Sequence, residues 1–98
     1  MASETGHMGL LTLELWIPQS GSLKSKRKVI LSLKDRLRHQ FNISIAEIGE
    51  NDKWQKAVLG ICMIANDRKY VEGCFQKMIN FIEDYSEAEL IGQSVEFL

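Results

Sequence analysis

The sequence predicts a single α+β domain of the ferredoxin-like type, with the element order βαββαβ and two helices on one face of a four-stranded antiparallel sheet. Four stretches have the pattern of a strand, and two have apolar residues at the spacing of one helix face. The 98 residues suffice for one domain, and 45% hydrophobic with 26% charged residues is an ordinary globular composition. Right-handed crossovers would place the first and third strands side by side at the centre of the sheet.

The first strand and the first helix are predicted on either side of a short turn. Residues 9–17 alternate apolar with polar side chains, and Pro18 ends this strand. Ser22 is the predicted N-cap of the helix, because a serine hydroxyl can accept a hydrogen bond from a free N–H group of the first turn. The apolar residues that follow fall on one face of this helix: Leu23, Val29, Ile30, Leu33, Leu37 and Phe41.

The second and third strands are predicted to form a hairpin. Residues 41–48 carry apolar residues in the strand period, and this period slips at Ile45–Ala46, which predicts a bulge there or a strand covered on both sides. Residues 54–65 form a nearly unbroken apolar run, which is typical of a central strand. Gly60 within this run marks a point where another group approaches the backbone closely.

The second helix and the fourth strand complete the order. Asn66 or Asp67 is predicted to cap the helix, and residues 89–98 alternate again as a strand. One face of the second helix is apolar: Val71, Cys74, Phe75, Met78, Phe81, Ile82 and Tyr85.

The first eight residues differ from the rest of the chain. We expect residues 1–8 to be a disordered leader or a cloning remnant, which leaves residues 9–98 as the single domain. This start lacks the charged and apolar regions of a secretion signal, and no apolar run has the roughly 18–20 residues of a membrane span. Two cysteines do not make a disulfide framework. A cytoplasmic protein with no membrane partner is therefore expected.

Charge is distributed unevenly along the chain. Residues 22–39 contain seven basic residues and one acid, whereas residues 83–98 contain five acids and no lysine or arginine. The basic residues crowd the start of the first helix, where the helix dipole favours acids and the backbone N–H groups lack partners. Such a start can cradle a phosphate, and a stripe continuing along the helix would be about 20 Å long. The predicted anion or nucleic-acid site comprises Ser22, Lys24, Lys26, Arg27, Lys28, Lys34 and Arg38.

Lys26 is a special member of this site. It falls inside the apolar arc of the helix, so its ammonium group is expected to extend past the sheet edge to water or to an anion.

The sequence contains no pattern that indicates catalysis. It lacks a P-loop, a dinucleotide-binding glycine motif, a zinc-protease motif and a nucleophile elbow. Glu47, Glu50 and Asp52 could hold Mg²⁺, but we expect them to be hairpin-turn residues because no histidine or cysteine joins them at ligand spacing. We therefore predict a non-enzymatic protein with no cofactor and no metal.

Other binding roles are compatible with the same sequence. The third strand lacks the aromatic residues that RNA-recognition domains of this fold place on their central strands, and we expect Trp16 and Trp54 to be packing residues. The alternative function is a homodimeric interaction module with no nucleic-acid role, formed through the outer sheet face around Thr12, Glu14 and Trp16 or through an edge strand. A small-anion sensor at the helix start, or a basic face that serves only solubility, also fits.

A longer pattern resembles a known family. Its parts are Ser22-Leu23-Lys24 with Lys26-Arg27, then Phe41-Asn42 with Ala46-Glu47, then Asp52, Trp54-Gln55, Ala57 and Leu59-Gly60. Together they resemble the YlxP-like family of small bacterial proteins, a domain of unknown function, and the resemblance runs over residues 9–98. It implies a ferredoxin-like fold, no established catalytic residues, and a gene neighbourhood of translation and ribosome-maturation factors. The expected partner is therefore structured RNA of the ribosome or of its maturation, bound by the basic helix.

Overall fold

The computed structural model describes residues 5–98, and its elements confirm the predicted order. They are β1 His7–Trp16, α1 Leu23–Gln40, β2 Ser44–Gly49, β3 Lys56–Ala65, α2 Arg68–Glu83 and β4 Glu89–Phe97. The four strands form one antiparallel sheet in the order β2-β3-β1-β4. The first and third strands are therefore the central pair, and the ferredoxin-like α+β fold is confirmed.

The first strand begins earlier than the sequence pattern predicted. β1 starts at His7 because its antiparallel pairing with β3 continues to the end of that strand, with His7 opposite Ala65 and Met8 opposite Ile64. The last two residues of the predicted leader therefore belong to the sheet, and residues 1–4 of it lie outside the described residues.

The hydrophobic core lies between the sheet and the two helices. Leu11, Leu13 and Leu15 of β1 are fully buried beneath the helices, as their alternation predicted. α1 contributes Ile30, Leu33 and Leu37 to the core, whereas the predicted Val29 and Phe41 only pack against its margin. α2 contributes most of its predicted face together with Ile79, whereas Phe81 and Tyr85, which follows the end of that helix, only pack against the core.

Both strands of the β2–β3 hairpin begin later in the chain than predicted. Phe41 is the C-cap of α1, and Trp54 lies in the turn before β3. The register shift falls between Glu47 and Gly49 rather than at Ile45–Ala46, because Ile45 keeps the inward position that its strand period requires.

Gly60 marks a close approach, as predicted. A β-carbon built on Gly60 would lie 3.0 Å from Cδ1 and 3.2 Å from Cγ2 of Ile48, on the neighbouring strand β2. The absence of a side chain at Gly60 therefore lets Ile48 lie flat across β3.

The sheet face opposite the helices carries several apolar side chains. Met8 pairs with Ile64 and Leu10 pairs with Cys62 across the two central strands. Ile64 is 59% exposed and Ile48 is 55% exposed. An antiparallel sheet with one solvated face usually turns polar residues outward, so this composition is unusual.

Both cysteines are free thiols, as the sequence predicted. Cys74 is buried in α2, and Cys62 is partly exposed on β3. Hydrogen bonding to Cys74 is the main cause that raises the pKa of Tyr70 above its ordinary value.

Among residues 5–98, neither helix has the length and apolar character needed to cross a membrane.

Candidate nucleic-acid interface

The start of α1 is held by a capping box, and Ser22 is its N-cap as predicted. The Ser22 backbone is extended, with φ −163° and ψ 164°. Its Oγ accepts from the Ser25 N–H at 3.1 Å, and the Ser25 Oγ accepts from the Ser22 N–H at 3.2 Å. A serine pair thus performs the reciprocal capping usually made with glutamate, and the first turn contains no acid.

A third serine stabilises this helix start. Ser20 is buried, and its Oγ lies 3.0 Å from the carbonyl oxygen of Ser22 and 3.0 Å from Oγ of Ser25. The three hydroxyl groups form a local network that satisfies several polar groups without charge. The first turn of α1, which carries the exposed Lys24, is therefore fixed in place.

Lys26 does not belong to the anion site, and its predicted exposure to water or an anion is wrong. Its side chain is 0% exposed, and its Nζ lies 2.8 Å from Oε2 of Glu47. The same ammonium group donates to the carbonyl oxygens of Glu50 at 2.9 Å and Lys56 at 3.2 Å, and lies 3.4 Å from that of Asn51. Its three N–H donors are thus satisfied within the molecule, and it cannot neutralise an external phosphate.

The carboxylates considered as a Mg²⁺ site are used in contacts with lysines. Glu47 pairs with Lys26, and Oε2 of Glu50 lies 3.7 Å from Nζ of Lys56. Asp52 is exposed in the turn between them. In the part of the chain that the structure describes, no three histidine, cysteine, aspartate or glutamate side chains are grouped to hold a metal ion.

Three cations at the start of α1 form no ion pair with the acids of residues 5–98. Lys24, Arg27 and Lys28 are all exposed. Within residues 5–98, none of the three has a carboxylate oxygen within 4 Å. Among the described residues no ion pair therefore neutralises these three charges, and Glu87 lines the same surface pocket as Lys28 without pairing with it.

Lys34 and Arg38, further along the predicted basic stripe, are less available to an external anion. Lys34 is partly buried. Nη1 of Arg38 lies 3.6 Å from Oδ1 of Asp35, and Nη2 donates to the carbonyl oxygen of Ile45 at 3.4 Å. Such an exposed pair is weak, so Arg38 retains most of its capacity to attract an anion. The free positive charge is nevertheless concentrated at the beginning of α1.

Two tryptophans lie near the hairpin turn that Lys26 contacts. Trp16 ends β1 on the sheet face opposite the helices, and Trp54 lies in the turn before β3. Trp16 is 38% exposed and Trp54 is 57% exposed, so both combine a packed part with a part that faces solvent. They line one cleft of about 390 Å³, which we call the tryptophan cleft; its lining residues are Trp16, Glu50, Lys53, Trp54, Gln55 and Lys56.

Hydrogen bonds between the end of β1 and the hairpin turn fix the walls of this cleft. The Ile17 N–H donates to the carbonyl oxygen of Gln55 at 2.7 Å, and Nε2 of Gln55 donates to the carbonyl oxygen of Pro18 at 3.0 Å. Sequence reasoning missed the cleft because Trp16 and Trp54 are far apart in the chain. The signal that could have revealed it is the antiparallel register of β1 and β3, which sets Trp16 opposite Lys56.

Comparison with known proteins agrees with the resemblance seen in the sequence. The family described as "Protein of unknown function (DUF503)" matches residues 8–95. The chain belongs to this family. It is also 37% identical over 82 residues to "Uncharacterized protein YlxP" of Bacillus subtilis (strain 168), an alignment that covers 84% of this chain and 89% of the relative.

Membership of the DUF503 family confirms the predicted YlxP-like relationship and extends over almost the whole domain. The family description and the name of the Bacillus relative state no ligand, partner or reaction. The function must therefore be inferred from the surface of this chain.

Proposed function

We propose that this DUF503 protein is a non-enzymatic, cytoplasmic RNA-binding domain that contacts structured RNA through one face of α1. The observation that carries the proposal is the group of exposed cations at the start of α1 that form no ion pair within residues 5–98. The contact surface, called the basic α1 surface below, comprises Lys24, Arg27, Lys28, Lys34 and Arg38. It is the predicted site without Lys26, with Ser22 acting as the cap that orders it.

The helix start itself favours an anion. The first intrahelical hydrogen bond runs from the Lys26 N–H to the carbonyl oxygen of Ser22 at 3.1 Å, so the N–H groups of Leu23 and Lys24 precede it. The partial positive charge of this terminus adds to the lysine charges and makes an unligated surface electrostatically unfavourable. A bound phosphate group would compensate both the partial charge of the helix terminus and the charges of the lysines.

The dimensions of the basic α1 surface suit a polyanion better than a single phosphate. The helix rises about 1.5 Å per residue, so the side chains from Lys24 to Arg38 extend over about 20 Å. That length matches several successive phosphates of a nucleic-acid backbone. The gene neighbourhood implied by the YlxP resemblance favours ribosomal RNA, or RNA of ribosome maturation, as the target.

The proposal is tested with two charge-matched double variants. Lys24→Glu with Lys28→Glu reverses two charges on the basic α1 surface, and Lys69→Glu with Lys77→Glu reverses two exposed charges on α2. At low salt, binding of a fluorescein-labelled RNA hairpin is expected to fall at least tenfold in the α1 variant and to change little in the α2 variant. If both variants lose RNA affinity equally, binding is non-specific charge attraction and the assignment to α1 is refuted. If the wild-type protein does not bind RNA, the proposed function is refuted.

A homodimer formed through the outer sheet face is a second candidate. It is favoured by the exposed apolar side chains Met8, Ile48 and Ile64 on the face opposite the helices, because such patches commonly mark interaction sites. Sedimentation equilibrium of the wild type and of Ile64→Glu tests it. A wild-type dimer that the substitution converts to a monomer supports this candidate, and a wild-type monomer at micromolar concentration refutes it.

A further inference from the structure

We infer that the tryptophan cleft receives one unpaired nucleobase of the RNA whose phosphates contact the basic α1 surface. This inference rests on the proposed function and names the feature of the RNA that the protein distinguishes: a bulged or looped-out nucleotide rather than a continuous duplex.

The aromatic surfaces are the first observation. The chain contains two tryptophans, and both line the same cleft with substantial exposure of their rings. Exposed tryptophan surface is unfavourable in water unless a ligand covers it, and nucleobases stack on such rings without regard to their identity. The volume of about 390 Å³ lies within the range of sites for small planar ligands.

The charges at the cleft are the second observation. Lys53 and Lys56 line it together with the tryptophans. Lys53 is exposed and, within residues 5–98, has no carboxylate within 4 Å, whereas Lys56 has Glu50 at 3.7 Å. A second copy of this chain, or another apolar protein surface, would have to desolvate the ammonium group of Lys53, whereas a phosphate flanking the nucleobase would neutralise it.

The connection to α1 is the third observation. Lys26 donates to the carbonyl oxygens of Glu50 and Lys56, which lie on either side of Trp54 in the chain. This buried side chain therefore ties the turn that carries Trp54 to the sheet-facing side of α1, at the end of the helix where the basic α1 surface begins. Since the walls of the cleft are also joined by the Ile17–Gln55 and Gln55–Pro18 hydrogen bonds, the site is formed before RNA arrives.

The experiment compares two RNA hairpins that differ only in a single-nucleotide bulge in the stem. Tryptophan fluorescence reports the cleft directly, because the chain contains no tryptophan outside it. For the wild type we expect the bulged hairpin to quench this fluorescence and to bind about tenfold more tightly than the continuous hairpin. In Trp54→Ala the preference should vanish while affinity for the continuous hairpin is retained, and Trp54→Phe should keep a partial preference.

The outcomes separate this inference from the proposed function. If both hairpins bind equally well and Trp54→Ala changes neither affinity, the cleft inference is refuted and RNA binding by α1 stands. If neither hairpin binds, the proposed function is refuted and the inference with it. If Trp54→Ala converts a dimer to a monomer without altering RNA preference, the cleft is instead an interface between copies of the chain.

Discussion

The ammonium group of Lys26 lies 2.8 Å from the carboxylate of Glu47, in a position where the lysine side chain is completely buried. Glu47 is also largely buried, with 15% of its side chain exposed. This ion pair joins the second turn of α1 to β2, and the same ammonium group holds the turn of the β2–β3 hairpin. Because the Lys26 side chain is buried and its ammonium group is paired within the molecule, this ion pair stabilises the fold and does not bind an external ligand.

Loss of the Lys26 ammonium should destabilise the fold strongly. In Lys26→Met, the apolar stem is retained, but Glu47 and the turn carbonyl groups lose their donor. We expect the free energy of unfolding to fall by about 3–5 kcal/mol, because one charge of a buried pair is left uncompensated. Urea denaturation followed by circular dichroism measures this change.

The double variant Lys26→Met with Glu47→Leu is the control for that measurement. Removing both charges should cost less than the sum of the two single substitutions, since no isolated buried charge remains. A Lys26→Met protein within about 1 kcal/mol of the wild type would contradict the structural role of the pair.

Two glycines should respond in opposite directions to alanine. A β-carbon at buried Gly9 would lie 2.7 Å from Cε2 of Phe75, so Gly9→Ala overpacks the core and should destabilise by about 1–3 kcal/mol. Gly73 lies in α2, and beyond its chain neighbours and the backbone of its own helix no described atom lies within 4 Å of its added carbon, so Gly73→Ala should stabilise by about 0.5–1 kcal/mol. Thermal denaturation of both variants tests this. A Gly9→Ala protein as stable as the wild type would contradict the packing described for Gly9, and a destabilised Gly73→Ala protein would contradict the open position of Gly73.

Charge reversal at Lys24 should raise the stability of the fold while it weakens RNA binding. Lys24 lies in the first turn of α1, which contains no acid, so Lys24→Glu places a negative charge where the helix dipole favours it. We expect stabilisation by about 0.3–1 kcal/mol together with weaker RNA binding. Thermal denaturation and RNA titration on the same preparation measure both effects, and a lower melting temperature would show that the lysine is required for folding.

The Ser22 cap has an equally direct test. Ser22→Ala removes the acceptor of the Ser25 N–H group and should cost about 1 kcal/mol of stability. Ser22→Asp should restore the cap, since aspartate caps helices as well as serine does. Urea denaturation of the pair measures the effect, and equal stability of Ser22→Ala and the wild type would contradict the capping role.

The fold was predictable because its signals are local. The alternation of β1 and the apolar faces of the helices each specify one buried side, and βαββαβ order then leaves few topologies. Element ends were less well predicted, since the start of β1 at His7 depends on pairing with Ala65. The hairpin bulge likewise depends on the register against β3.

The candidate site was only partly predictable because its decisive contacts are distant in sequence. The helical period correctly placed Lys26 on the buried side of α1, but its partner Glu47 lies 21 residues later on another element. The convergence of Trp16 and Trp54 similarly requires the strand register. The exposed Lys24, Arg27 and Lys28 were predictable from the helix period alone.

The salt dependence of RNA affinity tests most directly whether α1 binds phosphates. For the wild type, the logarithm of the association constant should fall with the logarithm of the salt concentration, by roughly 0.7–0.9 for each phosphate neutralised. With at least Lys24, Arg27 and Lys28 engaged, the wild-type slope should be about −2 or steeper, and Lys24→Gln with Lys28→Gln should make it shallower by about 1.5. An RNA affinity that is independent of salt, or a slope that is unchanged in the double variant, would contradict phosphate binding by α1.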